Sequence, residues 1–551
     1  MKRSFILIST VAASAAMSAF AQNVVDATRF STTDISGTAR YKSMAGAFGA
    51  LGGDPSCMTD NPAGIGVYRG TSEISFTPNL QIATTTTSGD VKGKKRQSDF
   101  SIGNFSYIVS FKTDESEYLT NFNIGISMNH TEGVKRKYAL TRDNVPSSFG
   151  AYLANLTNNA LLLTNRFFDP SYLGKEAAWY DSSIPLLGLM AYDTYAIDNG
   201  YDAQKNPMGV VSYDQMEGLN AYQRLYVREE NRTGEYNLNF SANWNDIVYG
   251  GVTFGIVDYN SIINSQFKED YSYDYNGSYT DYKNDLETKG TGFNIKLGVI
   301  ARPLDFWRVG LAVHTPTWYN MRDIYTGDMS TDANGGANSG CGPYEYRYRF
   351  STPWKYQLST AFVIGTRGIV SFEYNMEDYG TMRYRESNYY EFDYTDYSIS
   401  KNLIKDNMQA VHTFKVGGEF RLTNRVSLRA GYAYRNSPYQ DQVYDVDVRW
   451  AGMEEAIYSS STKPNYTLLE DTEYLSCGVG YRGKGWYVDF SCMNKIQHEQ
   501  VGMFPSADAL YYNDEGSLSY TDDLATGAVI GTHTPMKTNT LNFDLTFGFK
   551  F

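Results

Sequence analysis

Hydrophobic and polar residues alternate strictly in the last eleven positions of the chain. In LNFDLTFGFKF, residues 541–551, every odd-numbered position is Leu or Phe, and every even-numbered position is Asn, Asp, Thr, Gly or Lys. A period of two places successive side chains on opposite faces of a β-strand. The pattern therefore predicts a strand with one apolar, aromatic-rich face and one polar face.

The same alternation recurs in EYNLNFSANW (235–244), GFNIKLGVIA (292–301), WRVGLAVHT (307–315) and HTFKVGGEFRL (412–422). A soluble β-sandwich would accept one such strand, because its apolar face could meet a second sheet. The opposite faces, however, carry charged residues such as Arg308, Lys415 and Glu419. Charged inner faces suit a barrel with lipid outside and a hydrated lumen inside.

Short polar turns alternate with long loops along the chain. The predicted short turns are 113–116, 245–247, 302–306, 366–368, 423–425 and 483–485, whereas the long stretches include 323–344, 380–409, 436–465 and 499–536. Tight periplasmic turns and long external loops are typical of outer-membrane barrels. Counting the flanking strands predicts an all-β fold, a 14-stranded antiparallel transmembrane barrel, with strand centres near 78, 105, 124, 236, 254, 295, 313, 357, 372, 416, 430, 478, 489 and 544.

Composition narrows the class of protein and its partners. The chain of 551 residues has 47 Tyr and an aromatic share of 15%, which suits positions between lipid and water. Its net charge of -13 argues against a nucleic-acid partner. The five His and four Cys form no zinc pattern and accompany no nucleophile motif, so we expect no enzyme activity, metal or cofactor.

The first 21 residues have the pattern of a secretory signal peptide. Lys2 and Arg3 precede an apolar stretch, and Ala19-Phe20-Ala21 matches a cleavage site. We therefore predict cleavage after Ala21, export to the outer membrane of a Gram-negative bacterium, an N-terminal segment over 22–70 and a barrel over 71–551.

Residues 22–70 do not alternate and contain many small side chains. Tyr41, Met44, Ala45 and Phe48 have helical spacing, and Gly52-Gly53 is expected to end that helix. About 50 residues of this kind could fill the lumen of a 14-stranded barrel, so we predict a plug.

A long insertion is predicted over residues 131–220, where two amphipathic helices should lie outside the membrane. Two roles stay open for these helices, either a greasy groove that captures a ligand or a cap over the barrel mouth. The candidate groove residues are Phe149, Leu153, Leu156, Leu163, Leu187 and Met190.

The turn at Lys484-Gly485 predicts the register of the last hairpin before the final strand. A two-residue hairpin loop there would place Cys477 opposite Cys492, with both side chains facing lipid. The pair could be a cross-strand disulfide or two small apolar side chains, and the sequence does not choose between them.

One stretch resembles a known family. AGAFGALGGDPSCMTDNPAGIGVYRG, residues 45–70, is similar to the hatch of the FadL/TodX family of outer-membrane transporters for long-chain fatty acids and aromatic hydrocarbons. The matching elements are residues 46–53, Asp54 and 61–64. Two later segments, 351–365 and 412–439, are similar to strands of that family.

The resemblance implies a monomeric 14-stranded barrel plugged by an N-terminal hatch. It implies that outer loops catch a hydrophobic small molecule, which passes the hatch and leaves sideways into the lipid of the outer membrane. The opening would lie at a kink in the third strand, where Gly125 is the expected weak point. The implied hatch and gate residues, packed against that kink, are Asn61, Pro62, Ala63, Gly64 and Phe48.

The terminal Phe551 resembles the signal that the barrel-assembly machinery recognises. A general diffusion porin and a surface-binding adhesin are the alternative functions. Neither the ligand nor its contact residues can be read from the sequence.

Overall fold

The computed structural model describes residues 23–88, 93–113, 118–181, 183–202, 204–212, 220–271, 279–387, 397–444, 462–512, 518–521 and 528–551. The predicted signal peptide and its cleavage site lie outside these residues. None of the described helices has both the length and the apolar character needed to cross a membrane.

Fourteen antiparallel strands form one closed barrel. Its sheet has seventeen segments, and three strands consist of two segments each, separated by residues 315–317, 352–354 and 379–382. The strands are β1 (Glu73–Thr87), β2 (Gly93–Lys112), β3 (Leu119–Val145), β4 (Ala221–Trp244), β5 (Val248–Asp270), β6 (Tyr279–Leu304), β7 (Trp307–His314 and Trp318–Thr331), β8 (Ala337–Ser351 and Lys355–Ile364), β9 (Gly368–Asp378 and Arg383–Arg385), β10 (Ala410–Arg421), β11 (Val426–Arg435), β12 (Tyr466–Arg482), β13 (Trp486–Gly502) and β14 (His533–Lys550).

The predicted strand count and strand centres are confirmed, because every centre falls within one of these strands. The short turns lie at 245–247, 305–306, 365–367, 422–425 and 483–485. Residues 114–117, which include most of the first predicted turn (113–116), lie outside the described residues. Pairing of β14 with β1, from Glu73 opposite Lys550 to Thr87 opposite Met536, closes the ring.

The outer and inner faces of the barrel have opposite character. On β14, Phe547 and Phe549 are exposed to the outside, whereas the side chains of Asp544 and Thr546 are buried inside. An apolar exterior around a polar interior is the arrangement of outer-membrane barrels, so the chain belongs in the outer membrane of a Gram-negative cell. Phe551 exchanges backbone hydrogen bonds with Ser72, and its role in assembly stays a prediction.

Four neighbouring strands are far longer than a membrane requires. Strands β3, β4, β5 and β6 have 27, 24, 23 and 26 residues, whereas about 9 to 11 residues cross a bilayer. Their surplus extends beyond the membrane on the side of the long loops. Because β3 continues to Val145, the insertion begins later than the predicted residue 131.

Five α-helices occur among the described residues, two of them in the N-terminal segment. They are α1 (Val24–Ser31), α2 (Ala39–Ser43), α3 (Phe149–Leu163), α4 (Leu186–Asp193) and α5 (Tyr397–Asn407). The predicted helix through Phe48 is wrong in length, because α2 ends at Ser43. Ala45 and Gly46 then adopt positive φ angles of 50° and 72°, which turn the chain.

The register of the last hairpin is as predicted, with Cys477 opposite Cys492. Both cysteines are unbridged, so the pair consists of two small side chains on the lipid face.

Candidate transport site: floor, chamber and lateral slot

The lower part of the N-terminal segment fills the lumen on the side of the short turns. We call residues 38–67 the floor; they comprise α2 and two 3-10 turns, Pro55–Met58 and Pro62–Val67. Phe48 is buried within the floor, with its ring 5.4 Å from that of Tyr41. Gly64 also lies inside the floor, where its carbonyl accepts a hydrogen bond from the Gly53 N–H at 2.9 Å.

Asn61 holds the Asn-Pro-Ala-Gly turn in place. Its Oδ1 accepts a hydrogen bond from the Ala63 N–H at 3.1 Å, which caps the turn that begins at Pro62. Its Nδ2 donates to the Gly49 carbonyl at 2.6 Å, which ties together two parts of the floor that are twelve residues apart. This side chain is buried and has a structural task.

The wall opposite the floor carries glycines where the two backbones come together. A Cβ atom at any of these positions would approach the floor more closely than the 3.0 Å that real Cβ atoms respect. Gly251 and Gly298 face the Asn61-Pro62 turn, and three further glycines face Gly49 or Met44, namely Gly310, Gly417 and Gly431. Only glycine allows so close an approach.

The Asn-Pro turn therefore lies against β5 and β6. The same 3-10 turn also contacts the third strand, because the Asn123 Nδ2 of β3 donates to the Ile65 carbonyl at 3.0 Å. The expected packing of the Asn-Pro-Ala residues against a kink in β3 stays a prediction. Gly125 on β3 serves a different part of the floor, since a Cβ there would lie 2.6 Å from the Met58 Sδ.

Buried ion pairs fasten the floor to the wall. The Lys42 Nζ lies 2.9 Å from Asp544 on β14, and the Arg40 Nε lies 3.0 Å from Glu419 on β10. Glu419 also pairs with Arg429 at 2.7 Å. These charges are largely withdrawn from water and are stabilised by their pairing. Moving the floor would leave each wall charge buried without its partner, which is strongly destabilising.

Asp60 lies at the upper surface of the floor. Its backbone carbonyl is 2.6 Å from the His314 Nε2, and its Oδ2 accepts a hydrogen bond from the Gln357 Nε2 at 3.2 Å. Burial, and then the nearby carboxylate of Glu373, raise the pKa of Asp60 to about 6.

A central chamber of about 150 Å³ lies above the floor. We call it the chamber; the loop between α1 and α2 and strands from β3 round to β12 line it. Four acidic and four basic residues face it, namely Asp34, Asp60, Glu235, Glu377, Lys296, Lys355, Lys415 and Arg435. The chamber is thus polar and nearly balanced in charge.

The wall parts between β2 and β3. Their pairing runs from Lys112 opposite Asn121 to Asn104 opposite Asn129, and among the described residues it goes no further. Beyond that point, residues 93–102 of β2 pair only with β1, and the part of β3 beyond Asn129 pairs only with β4. This gap between the two strands is the lateral slot.

The upper part of β3 bends inward at the slot. The pairing of β3 with β4 shifts register between His130 and Glu132, and the β1–β2 pairing shifts at Gly103. Beyond the bend, the inward-facing Thr87 Oγ1 of β1 donates to the Ala139 carbonyl of β3 at 3.0 Å. The irregularity thus follows Gly125, which itself lies in a regularly paired stretch.

Among the described residues, the slot is bridged by the Thr87–Ala139 hydrogen bond and by an ion pair, and it is braced from inside by the N-terminal segment. The Lys135 Nζ of β3 lies 2.6 Å from the Asp99 Oδ1 of β2. From inside, the Asp34 N–H of the N-terminal segment donates to the Thr131 carbonyl at 2.9 Å. Asp34 and Thr131 line both the chamber and a smaller cavity of about 40 Å³ at the slot, so the two spaces adjoin there.

The extracellular helices form a packed cap rather than an open groove. Phe149, Leu153, Leu187 and Met190 are fully buried, Leu156 is buried and Leu163 is half-buried. Their apolar stripes face one another and the extended strands, where the Phe149 ring lies 4.7 Å from that of Phe267. The groove predicted from these residues is therefore filled by the cap's own side chains, because an apolar stripe requires cover.

Among the described residues, no group of three or more His, Cys, Asp or Glu side chains is placed to hold a metal ion.

Comparison with solved structures identifies proteins that have a similar architecture. A FadL homologue from Pseudomonas aeruginosa is 12% identical, with 94% of this chain and 98% of that one covered and a TM-score of 0.51. The toluene transporters TodX of Pseudomonas putida (10% identity, 94% and 99% coverage, TM-score 0.47) and TbuX of Ralstonia pickettii (13%, 94% and 99%, 0.43) are also similar. No protein-family model and no curated protein matches the sequence. The structural similarity to the FadL homologue shows that this chain has the fold of a FadL-like outer-membrane transporter.

Proposed function

We propose that this protein is a channel for the passive uptake of hydrophobic small molecules across the outer membrane. The ligand enters from the side of the long loops, reaches the chamber and leaves sideways through the lateral slot into the bilayer. The observation that carries the proposal is the parted β2–β3 seam directly above a filled floor.

The floor makes a path along the barrel axis costly. A ligand that moved straight through would have to separate buried ion pairs such as Lys42–Asp544 and pull backbone away from the glycines of the wall. In this proposal residues 22–70 are the hatch. Asn61, Pro62, Ala63, Gly64 and Phe48 hold it rigid rather than line the path.

The slot offers a path with far fewer contacts to break. The lower end of its outer edge is apolar, since Phe100 and Ile102 of β2 are 71% and 43% exposed, whereas the exposed Lys94, Lys95 and Arg96 lie further along the same strand. A ligand has to displace the Asp34–Thr131 hydrogen bond, the Thr87–Ala139 hydrogen bond and the partly exposed Lys135–Asp99 pair. Exposed pairs of this kind contribute only about 0 to 1 kcal/mol. The fold shared with the FadL homologue supports the same route.

A reversible cross-link across the slot tests the route. In a background in which Cys477 and Cys492 are replaced by Ala, the variant Asp99→Cys/Lys135→Cys is treated with a cleavable thiol cross-linker. We expect uptake of a fluorescent hydrophobic probe into liposomes to fall at least tenfold and to recover on cleavage. The matched control, Gln266→Cys/Asp281→Cys, joins β5 and β6, which stay paired, and should leave uptake unchanged. Undiminished uptake with the slot cross-linked would refute the lateral route.

The porin alternative makes the opposite prediction for small sugars. If the wild-type protein in liposomes passes sugars at rates typical of porins, the floor does not close the lumen and the proposal fails.

A further inference from the structure

We propose that the chamber binds the polar head of an amphiphile, and that this head is uncharged and carries hydroxyl or amide groups. The inference rests on the proposed function, because it names the class of ligand that the same route would carry. Its starting point is the chemistry of the chamber wall.

The wall of the chamber is unsuited to a pure hydrocarbon. Of its 28 lining residues, only four lack a polar side-chain group, namely Phe30, Ile35, Val257 and Pro353. A hydrocarbon in this space would remove water from the polar groups without replacing the hydrogen bonds that water makes. The occupant must therefore be able to form hydrogen bonds.

The charges of the chamber disfavour an ionic head. The Lys296 Nζ pairs with Glu235 at 2.7 Å, and the Lys415 Nζ pairs with Glu373 at 2.6 Å. With four acids and four bases around the space, a carboxylate or an ammonium group would meet like charges as well as opposite ones. Pairs already formed in a buried site leave little gain for an added ion at these lysines. Arg435 makes no ion pair with a carboxylate among the described residues, and its charge is offset instead by Asp34 and Glu377, which line the same space.

Four lining side chains each have one polar atom without a hydrogen-bond partner. The atoms are the Thr233 Oγ1, the Asn294 Oδ1, the Asn375 Oδ1 and the Arg435 Nη2. Their residues are only 4%, 5%, 2% and 8% exposed, on four different strands around the chamber. Unpaired buried atoms cost free energy until something bonds to them. These atoms are covered by neighbouring atoms in this structure, so a head group reaches them after a small side-chain rotation. Hydroxyl and amide groups can then donate to the oxygens and accept from the guanidinium.

The neighbouring slot fits the rest of an amphiphile. Polar side chains line its inner side, including Asn79, Ser101 and His130, whereas its outer edge carries the exposed Phe100 and Ile102. A molecule with its head in the chamber could extend an alkyl tail through the slot into lipid. The chamber volume of about 150 Å³ corresponds to about five waters at about 30 Å³ each, which suits a small head.

The test compares three probes of equal alkyl length in liposomes containing the full protein: a monoacylglycerol, the corresponding fatty acid and the corresponding alkane. We expect the monoacylglycerol to enter at least tenfold faster than the other two. The variants Asn294→Leu and Asn375→Leu keep the branched shape of the side chain but remove the amide, and should slow the monoacylglycerol at least tenfold. The control Asn320→Leu makes the same change on an exposed position of β7 and should have no effect.

The outcomes separate the two proposals. If none of the probes enters faster than in empty liposomes, the proposed uptake function itself fails, and this inference with it. If the alkane or the fatty acid enters faster than the monoacylglycerol, uptake stands and the assigned head chemistry is overturned. Heat-modifiable mobility on gels shows whether each variant is folded. If a variant does not fold, retention of monoacylglycerol by the wild type, measured by native mass spectrometry against the alkane, decides the question, and no preference there overturns the inference.

Discussion

The floor and the chamber lie within the same lumen and face many of the same strands, yet the wall approaches them differently. Opposite the floor, Gly251, Gly298 and Gly310 let two backbones touch. Opposite the chamber, Lys296 on β6 and Glu235 on β4 are long polar side chains, which keep the backbones apart. The size of the inward side chain thus decides whether the lumen is closed or hollow at a given height.

Because of this difference, the floor and the chamber have separate functions within one barrel. Close backbone contact with buried ion pairs gives a seal, because little can move without breaking several interactions together. A ring of polar side chains around about 150 Å³ gives a space that a small molecule can occupy. The seal requires glycine in the wall, and the space requires larger residues.

Removal of the seal is expected to have the largest effect. A mature protein that lacks residues 22–60 should change from a poorly conducting barrel into a wide and stable pore, because the floor occupies the lumen below the chamber. Planar bilayer recordings should show a rise in single-channel conductance of at least tenfold. Equal conductance with and without the segment would mean that the lumen is closed by something other than the floor.

A side chain placed in the seal should have an intermediate effect. Gly298→Val would push against Asn61, and overpacking of this kind typically costs about 1 to 3 kcal/mol. The unfolding midpoint in urea should fall, and sugar leakage should rise. Gly234→Val is the matched control, since a Cβ there has no neighbour within 4 Å, and it should change neither quantity. The comparison fails if both variants leak equally.

The smallest effect is expected at Asp60, where the floor meets the chamber. Its pKa of about 6 lies above the ordinary value of 3.8, so the folded state favours the protonated carboxyl. The contribution of Asp60 to stability should therefore increase as the pH falls from about 7 to about 4. One pKa unit corresponds to about 1.4 kcal/mol, which sets the scale of the change.

Unfolding midpoints of wild type and Asp60→Asn across that pH range measure this contribution, because the variant cannot titrate there. The wild type should gain stability relative to the variant as the pH falls. A difference between the two proteins that does not vary with pH would contradict the assigned titration.

The barrel could be predicted from the sequence because its signals are local. Alternation along each strand, as in 541–551, and the rhythm of short turns report on neighbours in the chain, so all fourteen strands were found. The helices at Phe149–Leu163 and Leu186–Asp193 were also visible in their apolar spacing. What covers those apolar stripes depends on the upper ends of distant strands, and the sequence did not reveal it.

The slot and the floor depend on contacts between distant parts of the chain. Gly125 lies in a regularly paired part of β3, whereas the register shift that precedes the inward course of the strand towards β1 lies between His130 and Glu132. Gly103, the bulge residue of β2, was an available signal, because glycine within a strand often marks a bulge. The early end of α2 at Ser43 likewise follows from the close approach of Met44 to wall glycines far away in sequence.

The pairing of β14 with β1 has a consequence for biogenesis. Asp544, which holds Lys42, lies on the strand that completes the ring, and the Thr546 Oγ1 accepts a hydrogen bond from the Ala39 N–H at 2.7 Å. The floor therefore has one of its anchors on the strand that closes the ring with β1. Full anchorage of the stopper thus requires the strand whose pairing seals the cylinder, which couples the final fixing of the interior to ring closure.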